Sequence, residues 1–308
     1  MRNKLLIFLL FLATTIKAQK LDSIPYSQGY LYYHTYGQSG EPIVILSGGP
    51  GGNCMQEEDV AIKLSSKFKC YLLEQRGTGL SQPKVIDSTI ITVKNAEDDI
   101  TLLLNHLHHK EVIFFGHSWG GMLGLSYAVH NPKRVKKLLL LGTGEIKSDK
   151  NVLKIISDLQ HSRMDTITEN KLMEIAERKK NNTSTDEDKV YLKKVSMSTM
   201  FYDKSIVDSV YAIYSVLKKS DLKMFQLMFD DFAKTKFDLT IPLRRFDKPL
   251  YILCGREDFY SFLSYELKIA KPSAQLYWIE RSGHYPMFEN PNEFYKILFD
   301  ILDKPNVK

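Results

Sequence analysis

The sequence predicts an α/β fold, a mostly parallel central sheet flanked by helices, with an inserted helical cap. Three observations predict it. From residue 30 to 144, short unbroken apolar runs alternate with stretches of helical spacing. Several of these runs end in glycine-bearing segments, at the strand ends where parallel sheets bind ligands. Between 145 and 247 the alternation breaks into Lys-, Asp- and Asn-rich sequence of helical period, then resumes at Pro249.

In chain order, Tyr30 to Gly37 alternates as a strand does. Pro42 to Leu46 is a continuous apolar run, as expected of a strand buried on both faces. It ends in Ser47-Gly48-Gly49-Pro50-Gly51-Gly52. Residues 55–67 are read as helix and Lys69 to Leu73 as a second buried strand, ending in Glu74-Gln75-Arg76-Gly77-Thr78-Gly79-Leu80-Ser81. Residues 93–108 carry Ile100, Leu103, Leu104 and Leu107 at helical spacing. Val112 to Phe115 is the next strand. It runs into Gly116-His117-Ser118-Trp119-Gly120-Gly121 and a small-residue helix that stops at Asn131-Pro132. Val135 to Leu141 is a further strand. Cap helices are expected around 151–160, 169–180, 186–200 and 204–232. Pro249 to Cys254, a helix near 262–270, Gln275 to Ile279 and an amphipathic helix over 291–303 complete the core.

The chain has 308 residues, enough for one large domain with an insertion. Residues 1–18 have the pattern of a secretory signal: Arg2 and Lys4, an apolar stretch from Leu5 to Leu12, then small and polar residues up to Ala18. That stretch is too short to span a bilayer. The expected divisions are therefore a signal at 1–18, core at 19–144, cap at 145–247 and core again at 248–308. The expected product is exported, periplasmic or secreted, with no stable membrane insertion after cleavage. The net charge is +6, and removing Arg2, Lys4 and Lys17 leaves +3, with no basic stripe interleaved with aromatics. Nucleic acid is therefore not an expected partner. The sequence does not define an oligomeric state. Three cysteines, Cys54, Cys70 and Cys254, allow at most one internal disulfide. Their spacing suggests no metal site, and no cofactor is expected.

The Gly116–Gly120 segment is a G-x-S-x-G motif between strand and helix. That context places Ser118 on a strained turn with its hydroxyl out of the sheet. A serine hydroxyl needs a base, and the base needs an acid to fix its tautomer. In this layout they follow in the order serine, acid, histidine. Ser118, Asp258 and His284 satisfy that order, each just past a strand end. Glu257 is the alternative acid. Of the eight histidines, His106, His108 and His109 end a helix, and His34, His130 and His161 lack strand-end context. His117 is expected to point away from the serine it precedes. The oxyanion donors expected are the N–H of Trp119 and one from the 48–52 loop, Gly49 or alternatively Gly48.

Taken together, Gly48-Gly49-Pro50-Gly51-Gly52, Gln75-Arg76-Gly77-Thr78-Gly79-Leu80-Ser81, Gly116-His117-Ser118-Trp119-Gly120-Gly121, Gly255-Arg256-Glu257-Asp258 and Gly283-His284 resemble the proline iminopeptidases of the α/β-hydrolase superfamily. The resemblance covers the core on both sides of the cap. It implies a serine peptidase that releases N-terminal proline, with cap glutamates holding the substrate's free amino group. The chain departs from the family pattern at Ser47, where the family has His, and at Glu74, where it has Asp. Its only tryptophans are Trp119 and Trp278, so the family's tryptophan-rich cap segment is absent or rebuilt. The cap acids include Glu169, Glu174, Glu177, Glu187, Asp230 and Asp231, mostly expected on solvated faces.

The expected function is an aminopeptidase acting on short peptides through a Ser-His-Asp acyl-enzyme. The alternatives are a carboxylester hydrolase with the same three residues and, less favoured, a non-catalytic binding protein. The expected partner is a small peptide or ester substrate. A carboxylate facing the crevice favours the peptidase, and an apolar lining favours the esterase.

Overall fold

The computed structural model describes residues 19–217 and 222–305. The expected signal at 1–18 lies outside the described residues. The core elements open with β1 (Lys20–Tyr26), β2 (Gly29–Tyr36), β3 (Pro42–Leu46), α1 (Glu58–Leu64), β4 (Lys69–Leu73) and α2 (Val93–His106). They continue with β5 (Val112–His117), α3 (Trp119–His130) and β6 (Val135–Leu141). Six helices follow: α4 (Lys150–His161), α5 (Thr166–Lys180), α6 (Asp186–Ser198), α7 (Val207–Ser215), α8 (Leu222–Thr235) and α9 (Thr240–Arg245). The core then resumes with β7 (Leu250–Gly255), α10 (Ser261–Ala270), β8 (Gln275–Ile279), α11 (Pro286–Glu289) and α12 (Pro291–Leu302).

The eight strands form one sheet in the order β1-β2-β4-β3-β5-β6-β7-β8. From β4 to β8 all pairs are parallel, while β1–β2 and β2–β4 are antiparallel. The continuous apolar runs are explained by the two faces. In β3, Val44 and Leu46 pack with α2 and α3, through Ile100, Leu103, Leu123 and Tyr127. Ile43 and Ile45 pack on the other face with α1 and α12, through Leu64, Phe294 and Leu298. Every residue of β5 and β7 is buried, so polar alternation has no place there.

Three expectations needed correction. Strand β1 was not anticipated, because Lys20, Asp22 and Pro25 read against a strand. It is an edge strand, where a proline is tolerated. The expected helix over 55–67 is shorter, with a 3-10 turn at Cys54–Glu57 before α1. The expected helix over 204–232 is two helices, α7 and α8, and the short α9 follows them.

The helices between β6 and β7 are tied to the rest of the structure by two apolar seams. Met224, Met228 and Phe232 of α8 join the core beside Trp119. Phe201 stacks on Tyr285 with ring centroids 5.2 Å apart, and Tyr214 of α7 packs against Tyr285 and Phe288.

Candidate active site

Ser118 caps α3 at φ 54° and ψ −119°, a left-handed conformation rare for a residue with a Cβ. The packing of its neighbours holds it there. A Cβ on Gly116 would strike the Gly120 backbone, and one on Gly120 would strike the Leu46 carbonyl. The Ser118 N–H donates to Leu141 O at 2.8 Å, and the Gly142 N–H to Leu253 O at 2.9 Å. The ends of β5, β6 and β7 therefore step side by side. Gly142, at φ 50°, lies against Asp258 and His284, with room for no side chain larger than its own without shifting them.

His284 Nδ1–H donates to Asp258 Oδ2 at 2.8 Å, and both side chains are buried. Glu257 does not share this position. Asp258 also accepts from the Tyr260 N–H at 2.9 Å. The His284 N–H donates to Met200 O at 2.7 Å, which fastens the histidine loop to the segment after α6. Tyr260 packs its ring 5.0 Å from that of His284, and burial pushes its phenol up to about 12.

The glycine-rich loop meets Ser118 through Gly48, whose α-carbon faces the Ser118 Cβ, whereas Gly49 is exposed at φ 141°. Gln75 was not singled out from the sequence, although its Gln-Arg-Gly context was visible. It joins three loops: its Nε2 donates to Ser47 O at 2.9 Å, and its Oε1 accepts from Trp119 Nε1 at 2.7 Å. Arg76 turns away into a buried ion pair with Asp99. Between this cluster and Met224 and Met228 of α8 the free space is only about 10 Å³. A cleft of about 660 Å³ lies elsewhere, between α2, α3 and residues 231–239.

His117 makes contacts that the sequence did not suggest, though neither of its side-chain hydrogen bonds is to Ser118. Its ring lies 4.8 Å from that of His284, and its Nε2–H donates to the His284 carbonyl at 3.0 Å. Its Nδ1 is 2.7 Å from Glu57 Oε1, and both residues are fully buried.

Two other buried polar groups follow β6. Thr143 Oγ1 and Glu145 Oε2 have no hydrogen-bond partner among the described residues. Burial raises the Glu145 carboxyl to about 7, despite a backbone hydrogen bond from Asp149. The cap acids named from the sequence behave differently: Glu169, Glu174, Glu177, Glu187 and Asp230 are exposed, and Asp231 accepts from the Val93 N–H at 2.9 Å.

Among the described residues, His34, Cys54 and Glu74 could hold a metal, their donor atoms lying within 4.8 Å of one another. The spacing of the cysteines gave no sign of this group. Its members already have other duties. His34 Nε2 is 2.8 Å from Glu74 Oε1, and Glu74 Oε2 accepts from the Leu80 N–H inside the Gln-Arg-Gly loop. Burial holds the Cys54 thiol well above its usual range, and it stays protonated. All three cysteines are buried and none is in a disulfide.

A sheet of this order, a serine on a strained strand–helix turn and a buried His–Asp pair at the neighbouring strand ends define a class. The chain belongs to the α/β-hydrolase fold family, whose model matches residues 41–291. It is 23% identical to a proline iminopeptidase from Heyndrickxia coagulans over 86% of this chain and 91% of that one. It is 36% identical to a cis-3-alkyl-4-alkyloxetan-2-one decarboxylase from Shewanella oneidensis, but over 37% of this chain and 36% of that one. The match to a Xylella fastidiosa proline iminopeptidase, at 37% identity, likewise spans about a third of each chain. Among solved structures, a proline iminopeptidase-related protein from Thermus thermophilus superposes with a TM-score of 0.69. It is 21% identical over 92% of this chain and 97% of that one, which speaks for the fold.

Proposed function

We propose that the chain is a serine hydrolase of the aminopeptidase type, releasing proline or another N-terminal residue from short peptides. The observation that carries the hydrolytic reading is the buried His284–Asp258 hydrogen bond, with the strained Ser118 at the end of β5 in the same sheet. In this reading Ser118 attacks the substrate carbonyl and His284 takes its proton. Asp258 holds the His284 tautomer and stabilises the imidazolium. The N–H of Trp119 and a glycine N–H of the 48–52 loop receive the oxyanion. Gly49 is the proposed loop donor, with Gly48 nearer to Ser118. His284 then protonates the leaving amine, and water releases the acyl group.

The peptidase reading is supported over the esterase one by the proline iminopeptidase relatives and by Glu145. A half-ionised carboxyl buried with an unpartnered oxygen suits a substrate ammonium, which would complete its hydrogen bonding and hold it charged. Export of a mature chain beginning near Gln19 is part of the same proposal.

The test is a substrate panel run with the wild type and with Ser118→Ala and His284→Ala. The reading expects amide and ester hydrolysis to collapse together in both variants. Undiminished turnover of any substrate by Ser118→Ala would contradict it.

A further inference from the structure

We propose that Glu57 and His117 form a positioning pair that fixes the His284 loop and keeps a positive charge behind the His284 ring. The inference rests on the reading of His284 as the base for Ser118.

The pair is assembled from three distant segments. Glu57 ends the 3-10 turn after the glycine-rich loop, His117 is the last residue of β5, and His284 follows β8. His117 Nε2 faces a carbonyl oxygen, which can only accept, so this nitrogen carries a hydrogen. His117 Nδ1 faces the Glu57 carboxylate at 2.7 Å. Burial opposes a charge on the ring, but Glu57 and the His284 carbonyl outweigh it and hold the His117 pKa above its usual value. Glu57 thereby favours an imidazolium, donating at both ends, over a neutral ring. The ring bridges a buried carboxylate to the main chain of the residue that must reach Ser118.

The titratable groups facing this pair come from every neighbouring element. Asp258 acts on His117 from the loop after β7. Tyr285 packs on its ring at 5.2 Å. On the Glu57 side stand Cys54, Asp59, and the phenols of Tyr214, Tyr285 and Tyr295, all three raised mainly by burial. None of these can supply a second cation. The His117 ring lies 4.8 Å from the His284 ring, centroid to centroid. Glu57 touches the far side of the His117 ring, so the pair presents its positive end to His284.

Removing the Glu57 charge should let His117 become neutral while a glutamine still donates to its Nδ1. His284 would then lose a repelling charge and part of its anchorage. The experiment is the rate of Ser118 phosphonylation by a fluorophosphonate probe, measured against pH for the wild type and for Glu57→Gln. The expected result is a fall of about 10- to 100-fold in rate, with the acidic limb of the profile moved upward by about half a pH unit or more. A role in folding alone would lower the melting temperature without moving that limb. Should Glu57→Gln fail to fold, Glu57→Asp replaces it. That variant keeps the charge but shortens the reach, and should lose rate while keeping the wild-type limb.

Wild-type rate and limb in folded Glu57→Gln would overturn the inference, as would a moved limb or an undiminished rate in Glu57→Asp. The probe reports any activated serine, so turnover of esters alone would defeat the peptidase reading and leave this one standing. Equal labelling of wild type and Ser118→Ala would defeat the nucleophile reading and this inference with it.

Discussion

The His284 Nδ1–H donates to Asp258 Oδ2 at 2.8 Å, across two loops that start at the ends of adjacent parallel strands, β7 and β8. The bond is shielded from water, with both side chains buried. It leaves Nε2 as the ring nitrogen open to a proton from Ser118. Replacing Asp258 by Asn frees the ring to take the wrong tautomer. The expected loss in kcat is about 10⁴-fold, with the fold retained by circular dichroism.

Ser118 is held at φ 54° whether or not its hydroxyl is present, because Gly116 and Gly120 set the turn. Ser118→Ala is therefore expected to melt within about 1 kcal/mol of the wild type. Its rate should fall by several orders of magnitude, to about the 10³- to 10⁴-fold over water left by binding and the oxyanion donors. Calorimetry beside kinetics separates the two effects.

Glu145 gives a stability signature with a definite sign. Its carboxyl is raised from 4.5 to about 7 by burial, so the folded chain holds this proton more tightly than the unfolded one. The stabilisation is fully present below about pH 4.5 and is lost as pH rises to about 7. The difference amounts to about 3 kcal/mol. Glu145→Gln should lose that decline, which thermal melts across the interval will show. The same variant should raise KM for substrates with a free amine and leave ester turnover nearly unchanged.

Lys137 supplies a control remote from the site. It is buried in the sheet, and its Nζ donates to the carbonyls of Ile301, Leu302 and Lys304 at 2.9, 3.1 and 3.0 Å. These carbonyls lie at and just past the end of α12. Lys137→Met should cost about 2 kcal/mol or more in urea unfolding, while kcat per folded molecule stays at the wild-type value.

Much of the core could be read from the residues because its physics is local. A strand buried on both faces must be uniformly apolar, and β3, β5 and β7 are. A strand–turn–helix reversal of this kind needs glycine at 116 and 120, and both are there. Other features depend on tertiary contacts that leave no local trace. Glu57 looks like any acid near a helix start, and its burial against His117 follows from how the glycine-rich loop folds back. His117 sits beside the serine in sequence, yet its side chain passes under the sheet end to a carbonyl 167 residues away. The Glu145 carboxyl lies just past β6, while of the acids that drew notice between β6 and β7 all but Asp231 are exposed.

The most direct test of the central claim is kcat/KM for proline β-naphthylamide beside its N-acetylated form, with a short-chain p-nitrophenyl ester as reference. A site that binds the free amine through a buried carboxyl should reject the blocked amide by about 100-fold or more. That preference, abolished by Ser118→Ala, is the predicted result. Equal turnover of both amides, or hydrolysis of the ester alone, would contradict the aminopeptidase assignment.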